Sequence, residues 1–188
     1  MAFNATIYKA VLQIANLDRN YYQERALTLA RHPSETDERL MVRVLAFALH
    51  ASEGLSFAHG RIGAGLIKAG EEPDLWKKNL TGEVELWIEV GLPDERAIRK
   101  ACNRAQQVVV YAYGGHKADR WWEQNRGVLG QANNLTIVNL SNETTRAIAA
   151  MAQRDLKLNC TIQDGHIWFG EGEETVEVEL TVMLKCKT

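Results

Sequence analysis

Apolar and polar positions alternate along residues 4–16, with Tyr8, Leu12 and Ile14 on one side and Ile7, Lys9, Val11, Gln13 and Ala15 on the other. A period of two puts successive side chains on opposite faces, so this segment predicts a strand. Asp18-Arg19-Asn20 supplies a turn, and 24–31 fits a strand or a helix, with Thr28 between two leucines favouring the strand. The period then changes. After Pro33, Ser34 and Asp37 have capping-box spacing and acids fill the first turn, which predicts a helix start. The helix runs to about Ala51. Leu40, Met41, Val44, Leu45, Phe47, Ala48 and Leu49 cover most of its circumference, the pattern of a buried helix.

Residues 52–72 hold glycines at 54, 60, 63, 65 and 70 and predict a loop-rich crossing with room for a short strand or helix. Gly60, Gly63 and Gly65 lack the spacing and the preceding strand of a dinucleotide-binding loop. Beyond them the pattern predicts a strand at 83–90, a helix at 93–104, a strand around Val108-Val109-Val110, a helix at 117–126, a strand at 135–140 and a helix at 142–152. The β-branched run suits a central strand covered on both faces. Strands follow at 156–162 and 166–169. In the last strand Val176, Val178, Leu180, Val182 and Leu184 face one way and Glu177, Glu179 and Thr181 the other. That end reads as an antiparallel hairpin with one wet face. Strand–helix alternation in the middle implies parallel members. The expected architecture is α/β: one mixed β-sheet with flanking helices, in a single domain over 1–188.

Composition narrows the function classes. The 188 residues are 46% hydrophobic and 24% charged, which argues for a packed core and against disorder. A net charge of −2 is unlike a protein that coats nucleic acid, so any such contact must come from a local patch. No apolar run approaches the roughly 18 residues of a membrane helix, and the first residues lack signal-peptide organisation. Cys102, Cys160 and Cys186 are widely spaced and odd in number, which fits reduced thiols in a cytoplasm. Cys102, among alanines, reads as a packing residue. The histidines show no zinc-ligand spacing, and no serine sits in a nucleophile elbow. Trp121 and Trp122 are adjacent on a helix, so at most one can face a ligand.

The chemistry concentrates in Glu83–Lys100. On the strand, Glu83, Glu85, Trp87, Glu89 and Gly91 share one face, and Val84, Leu86, Ile88 and Val90 share the other. Neighbouring carboxylates repel, and a hard divalent cation such as Mg²⁺ or Mn²⁺ relieves that; plain solvent exposure relieves it too. Upstream stands Pro73-Asp74. Downstream, Gly91-Leu92-Pro93-Asp94-Glu95 opens a helix that buries Ala97, Ile98, Ala101, Cys102 and Ala105. Lys100 lies outside that stripe, where its stem can reach back toward the sheet or hold its ammonium in water.

The order Pro73-Asp74, acidic strand position, nearby lysine resembles the PD-(D/E)XK nuclease superfamily. A longer resemblance, to the YaeQ family assigned to that fold, rests on ATIYKA (5–10), LTLARHPSETDERLMVRVLAF (27–47), EPDLW (72–76), LWIEVGLPDERAIRKAC (86–102), the tryptophans at 121–122 and TIQDGHIW (161–168). It implies a restriction-endonuclease-like fold and a two-acid metal site. Residue by residue, Asp74 matches the first acid and Glu89 the second, with Glu85 a second-ranked frame. Gly91 stands where the in-strand lysine belongs. Lys100 is placed to replace it from the following helix, and Gly91 would leave room for it. Glu38 is a further acid, and Arg39 and Arg43, with Arg31 and His32, form either a phosphate-contacting patch or ion pairs with Glu35, Asp37 and Glu38. Gln107 and Tyr111 have a QxxxY spacing known from one branch, here on a strand. Two readings compete: a Mg²⁺- or Mn²⁺-dependent nuclease using Asp74, Glu89 and Lys100, and a non-catalytic module binding nucleic acid or protein.

Overall fold

A computed structural model describes residues 5–58 and 71–187. The first strand pair forms as the alternation requires. β1 (Thr6–Asn16) and β2 (Tyr21–Arg31) make a long antiparallel hairpin. Of the two faces of β1, the one carrying Tyr8, Ala10, Leu12 and Ile14 is buried, while Ile7 and Val11 stay exposed. The aliphatic and tyrosine face removes more apolar area from water than the face interrupted by Lys9 and Gln13.

α1 (Asp37–His50) is apolar nearly all round because it lies between two sheets. Its N-cap is Thr36, whose side chain accepts from the Arg39 amide. The expected Ser34 cap does not form; Ser34 instead contacts His32. β3 (Leu55–Phe57) is the short strand of the glycine-rich crossing, and the remaining glycines at 60, 63, 65 and 70 lie outside the described residues. Then come β4 (Leu75–Lys78), β5 (Val84–Val90), α2 (Glu95–Arg104), β6 (Ala105–Ala112), α3 (His116–Leu129), β7 (Leu135–Leu140) and α4 (Asn142–Ala149). β8 (Asp155–Gln163), β9 (His166–Glu171), β10 (Glu174–Glu177) and β11 (Leu180–Leu184) complete the described elements.

The strands do not form the single sheet expected. One sheet has the order β10-β9-β8-β1-β2, the other β11-β7-β6-β5-β4-β3, and both are mixed. The run 176–184 is not one strand. It breaks at Val178-Glu179, so that β10 ends one sheet and β11 edges the other. Alternation continues across the break, which is why the sequence hides it. The main core joins the inner faces of both sheets through α1 and α4. A second core lies on the far side of the six-stranded sheet, where Trp87, Val108, Val110 and Ile137 meet Ile98 and Ala101 of α2 and Leu129 of α3. The domain is therefore layered sheet, helices, sheet, helices. β5, β6 and β7 are parallel and central, covered on both faces. Among the described residues no helix is long and apolar enough to cross a membrane.

Candidate functional site

Three parallel strands end together at Val90, Ala112 and Leu140. In open α/β sheets, ligands gather beyond such carboxyl ends. Leu75 pairs with Ile88, so Asp74, one residue before β4, stands beside the end of β5 where Glu89 and Val90 lie. Asp74 and Glu89 are each only 5% exposed. A buried ionised carboxylate is costly unless hydrogen-bonded or paired, so each needs partners.

Asp74 has them on two sides. Its Oδ2 accepts from the Val90 amide at 2.8 Å, and its Oδ1 accepts from Arg39 Nη2 at 2.6 Å. Arg39 Nη1 reaches Glu35 at 2.9 Å, and Glu35 also pairs with buried Arg43 at 3.3 Å. Burial works to lower the Arg39 pKa, but the carboxylates of Asp74 and Glu35 outweigh it and hold the guanidinium above its ordinary value. Glu89 points to the opposite side of the strand, into the second core, where its Oε1 accepts from Trp87 Nε1 at 2.9 Å. Asp74 and Glu89 make contacts beyond these. Solvent exposure of the acidic strand face thus fails for Glu89: α2 and α3 cover it.

The other expected residues distribute as follows. Glu85 is half-exposed and pairs with Lys77 on the adjoining strand at 3.2 Å, away from the buried acids. Lys100 is exposed on α2, whose buried face is Ala97, Ile98 and Ala101. Gly91 has φ +111°, and an added Cβ would meet nothing within 4 Å. Glycine is therefore set by backbone conformation and not by room for Lys100, and a lysine at 91 would be strained. Asp94 is the N-cap of α2, accepting from the Ala97 amide at 2.8 Å. Arg31, Arg39 and Arg43 adopt the ion-paired arrangement, with Asp37, Glu35 and Asp74 as partners. Of the QxxxY pair, Tyr111 is in the core, its hydroxyl 2.7 Å from His50 Nε2, and Gln107 is exposed. Trp121 donates to the Pro93 carbonyl at 2.8 Å, and both tryptophans pack against the second core. Burial pushes the Cys102 thiol up to about 11, as for a packing residue.

Tyr113 was not singled out by its sequence context. It follows β6 directly, and burial raises its pKa against the opposing pull of Arg39, with the charges of Glu38 and Asp74 adding to the rise. Its position between a strand end and Gly114-Gly115 was the available signal. Glu38 and Asp74 thus both act on the Tyr113 hydroxyl. Among the described residues no three His, Cys, Asp or Glu side chains form a metal-ligand cluster. Asp74 Oδ1 and the Val90 carbonyl, 2.6 and 3.5 Å from Arg39 Nη2, are the hard oxygens gathered here, with Glu89 on the other face of β5.

Comparison with known proteins gives a consistent picture. The model of the YaeQ protein family matches residues 1–180. The uncharacterized protein YaeQ of Escherichia coli K12 is 45% identical over 181 residues, 96% of this chain and 97% of that relative. The crystal structure of YaeQ from Xanthomonas axonopodis pv. citri superposes with a TM-score of 0.87 at 43% identity, covering 96% of this chain and 99% of that one. The YaeQ structure from Pseudomonas syringae gives 0.87 at 31% identity, covering 96% and 97%.

Proposed function

The chain belongs to the YaeQ family, and from that premise and the geometry above we propose that it is a metal-dependent phosphodiesterase acting on nucleic acid, on a restriction-endonuclease-like plan. One observation carries the reading: buried Asp74 and the Val90 carbonyl both face Arg39 Nη2 at the end of β5, the strand that also carries buried Glu89 on its other face. Hard oxygens in this number suit Mg²⁺ or Mn²⁺. Magnesium in particular is held by one or two carboxylates, with water and substrate phosphate completing its shell, so a third protein carboxylate is not required. Bound there, the metal supplies Lewis acidity toward phosphate and an acidified water.

The chain's own residues divide the remaining work. Asp74 would hold the metal, and Glu89, whose carboxylate lies on the other face of β5, would join it by leaving its hydrogen bond with Trp87. Arg39 pairs with Asp74 and, being tied to Glu35 as well, can stay anchored while releasing Asp74. Lys100, on the solvent side of α2, steadies the phosphate charge as substrate approaches. Glu85 is a reserve acid at the rim. Hydrolysis of single- and double-stranded substrates with Mg²⁺ or Mn²⁺ tests this. The expected outcome is activity lost in Asp74→Asn and Glu89→Gln; equal activity in those variants and the wild type would trace it to a contaminant.

A second reading has one observation in its favour. Arg39 Nη2 already lies between Asp74 Oδ1 and the Val90 carbonyl, the oxygens that a metal would use. On that reading the guanidinium is the permanent cation of a non-catalytic module that binds nucleic acid or protein. Calorimetry separates the two. Heat with millimolar Mg²⁺ that is lost in Asp74→Asn supports the enzyme; no heat, with oligonucleotide binding retained, selects the module.

A further inference from the structure

With a net charge of −2, this chain can hold a polyanion only where cations are locally in excess. Two of the helices offer no excess. On α1, Arg39 and Arg43 are tied to Glu35 and Asp74. On α3, Arg126 pairs with Glu123 and His116 with Asp119. α2 differs. Its 10 residues include Arg96, Arg99, Lys100 and Arg104, all exposed, against a single acid, Glu95, which pairs with Arg99 at 3.2 Å. Arg96 and Lys100 have no carboxylate partner among the described residues. Ala97, Ile98 and Ala101 are the buried side of the helix, so at about 100° per residue the cations and Asn103 fill the arc that faces water. Arg96, Lys100 and Arg104 recur every fourth residue. They form one row along the helix, with steps of about 6 Å.

The row has a defined orientation. Arg104 Nη1 donates to the Glu71 carbonyl at 2.9 Å, and its guanidinium lies 5.3 Å from the Trp87 ring centre. Trp87 is the cross-strand partner of Trp76 on β4, and the Lys78 ammonium sits 3.5 Å from the Trp76 ring centre. Residues opposed on an antiparallel ladder point to the same face, so Lys78 continues the cations past Arg104 on the α2 side of the sheet. The acids nearby do not cancel the row. Asp94 caps α2, Glu85 pairs with Lys77, and Glu71 and Glu72 stand at the Arg104 end, on the segment that leads to Asp74.

From this arrangement we propose that the exposed face of α2 holds the phosphodiester backbone of a nucleic acid, with phosphates along Arg96, Lys100 and Arg104 and with Arg99 and Lys78 beside them. The contact is to backbone and is independent of sequence. Arginine forks match phosphate oxygens two at a time, and evenly stepped cations suit a polymer that carries a charge at every step. An acidic protein surface has no such regularity. The inference rests on the phosphodiesterase reading for the choice of polyanion, but binding along α2 needs no metal, and this separates the two.

The test measures anisotropy of a short fluorescent oligonucleotide, as single strand and as duplex, in EDTA over a range of KCl. One double variant, Arg96→Gln with Lys100→Gln, removes two cations of the row. The control, Lys9→Gln with Lys157→Gln, removes the same charge from exposed positions on the outer face of the five-stranded sheet, across the molecule from α2. All four positions are exposed, so both doubles should keep the wild-type urea midpoint. The expected result is salt-dependent binding that a scrambled sequence shares. The slope of log K against log[KCl] should become shallower by about 2 in the α2 double and stay at the wild-type value in the control. No binding by the wild type at low salt, equal loss in the two doubles, or polyglutamate competing as well as the oligonucleotide would each overturn the proposal. A strand held in EDTA but not cleaved with Mg²⁺ or Mn²⁺ would leave the α2 surface standing and remove the phosphodiesterase reading. Cleavage lost in Asp74→Asn, with binding indifferent to the α2 double, would do the reverse.

Discussion

Asp74 is 5% exposed because Arg39 and the Val90 amide both reach it, and that has a measurable cost when undone. Asp74→Ala leaves Arg39, whose side chain is 17% exposed, facing a lost counter-charge. Removing one partner of a buried pair costs about 3 kcal/mol. Urea unfolding should show a loss of that order, and a double-mutant cycle with Arg39→Ala should recover part of it. A loss below about 1 kcal/mol would mean that solvent screens the pair. His50 makes a second residue-scale prediction. Its burial beside the Tyr111 hydroxyl, with Arg19 adding repulsion, lowers its pKa to about 4. The unfolded imidazole titrates near 6.5, so between these values the unfolded chain binds more protons than the folded one. Stability should therefore be full above about pH 6.5, fall as pH drops toward about 4, and level off below, by about 3 kcal/mol in all from this group. His50→Gln should flatten that slope in urea midpoints measured across the range; an unchanged slope would assign it to other groups.

At the scale of elements, the start of α1 shows what a local pattern can and cannot decide. Ser34 and Thr36 both have a hydroxyl near the right place, but only Thr36 accepts from an amide of α1. Thr36→Ala should cost about 1 kcal/mol in chemical denaturation and Ser34→Ala close to none; equal losses would mean that the two hydroxyls share the cap. The same distinction runs through the fold. Strand and helix positions were legible because periodicity is local: β1, α1, β5, α2, β7 and α4 lie where the alternation put them, with shifts at their ends. The partition into two sheets was not, because the residues of a strand do not specify which strand lies beside it. Glu89 shows the same limit at the site. Its alternation with Trp87 was readable, but a second core behind that face was not, and neither was an Arg39 hydrogen bond spanning 35 residues of chain. Gly91 was legible as a departure from the expected lysine; its φ of +111° gives the physical reason.

The two sheets become one molecule through few covalent links, and Val178-Glu179 is the last of them. Val178 donates to the Ile167 carbonyl at 2.8 Å and so ends the five-stranded sheet. One residue later, the Glu179 carbonyl accepts from the Ser141 amide at 3.1 Å, and the Glu179 amide donates to Thr144 Oγ1 at 3.0 Å. Thr144 is 1% exposed and also accepts from the Ser141 hydroxyl, the N-cap of α4. One hydroxyl thus joins the helix that lies between the sheets to the strand that passes from one sheet to the other. Thr144→Val keeps the shape and removes the acceptor. It leaves the Glu179 N–H unpaired, at about 1–3 kcal/mol. The loss should be directional as well as global. β11 is an edge strand paired only to β7 among the described residues, so freeing its entry should lower its own opening energy first. Hydrogen exchange should show amides of Leu180–Leu184 losing protection while those of β5 and β6 keep theirs. Uniform loss across both sheets would instead mean that the crossing is held by packing of Val178 in the main core and not by the threonine.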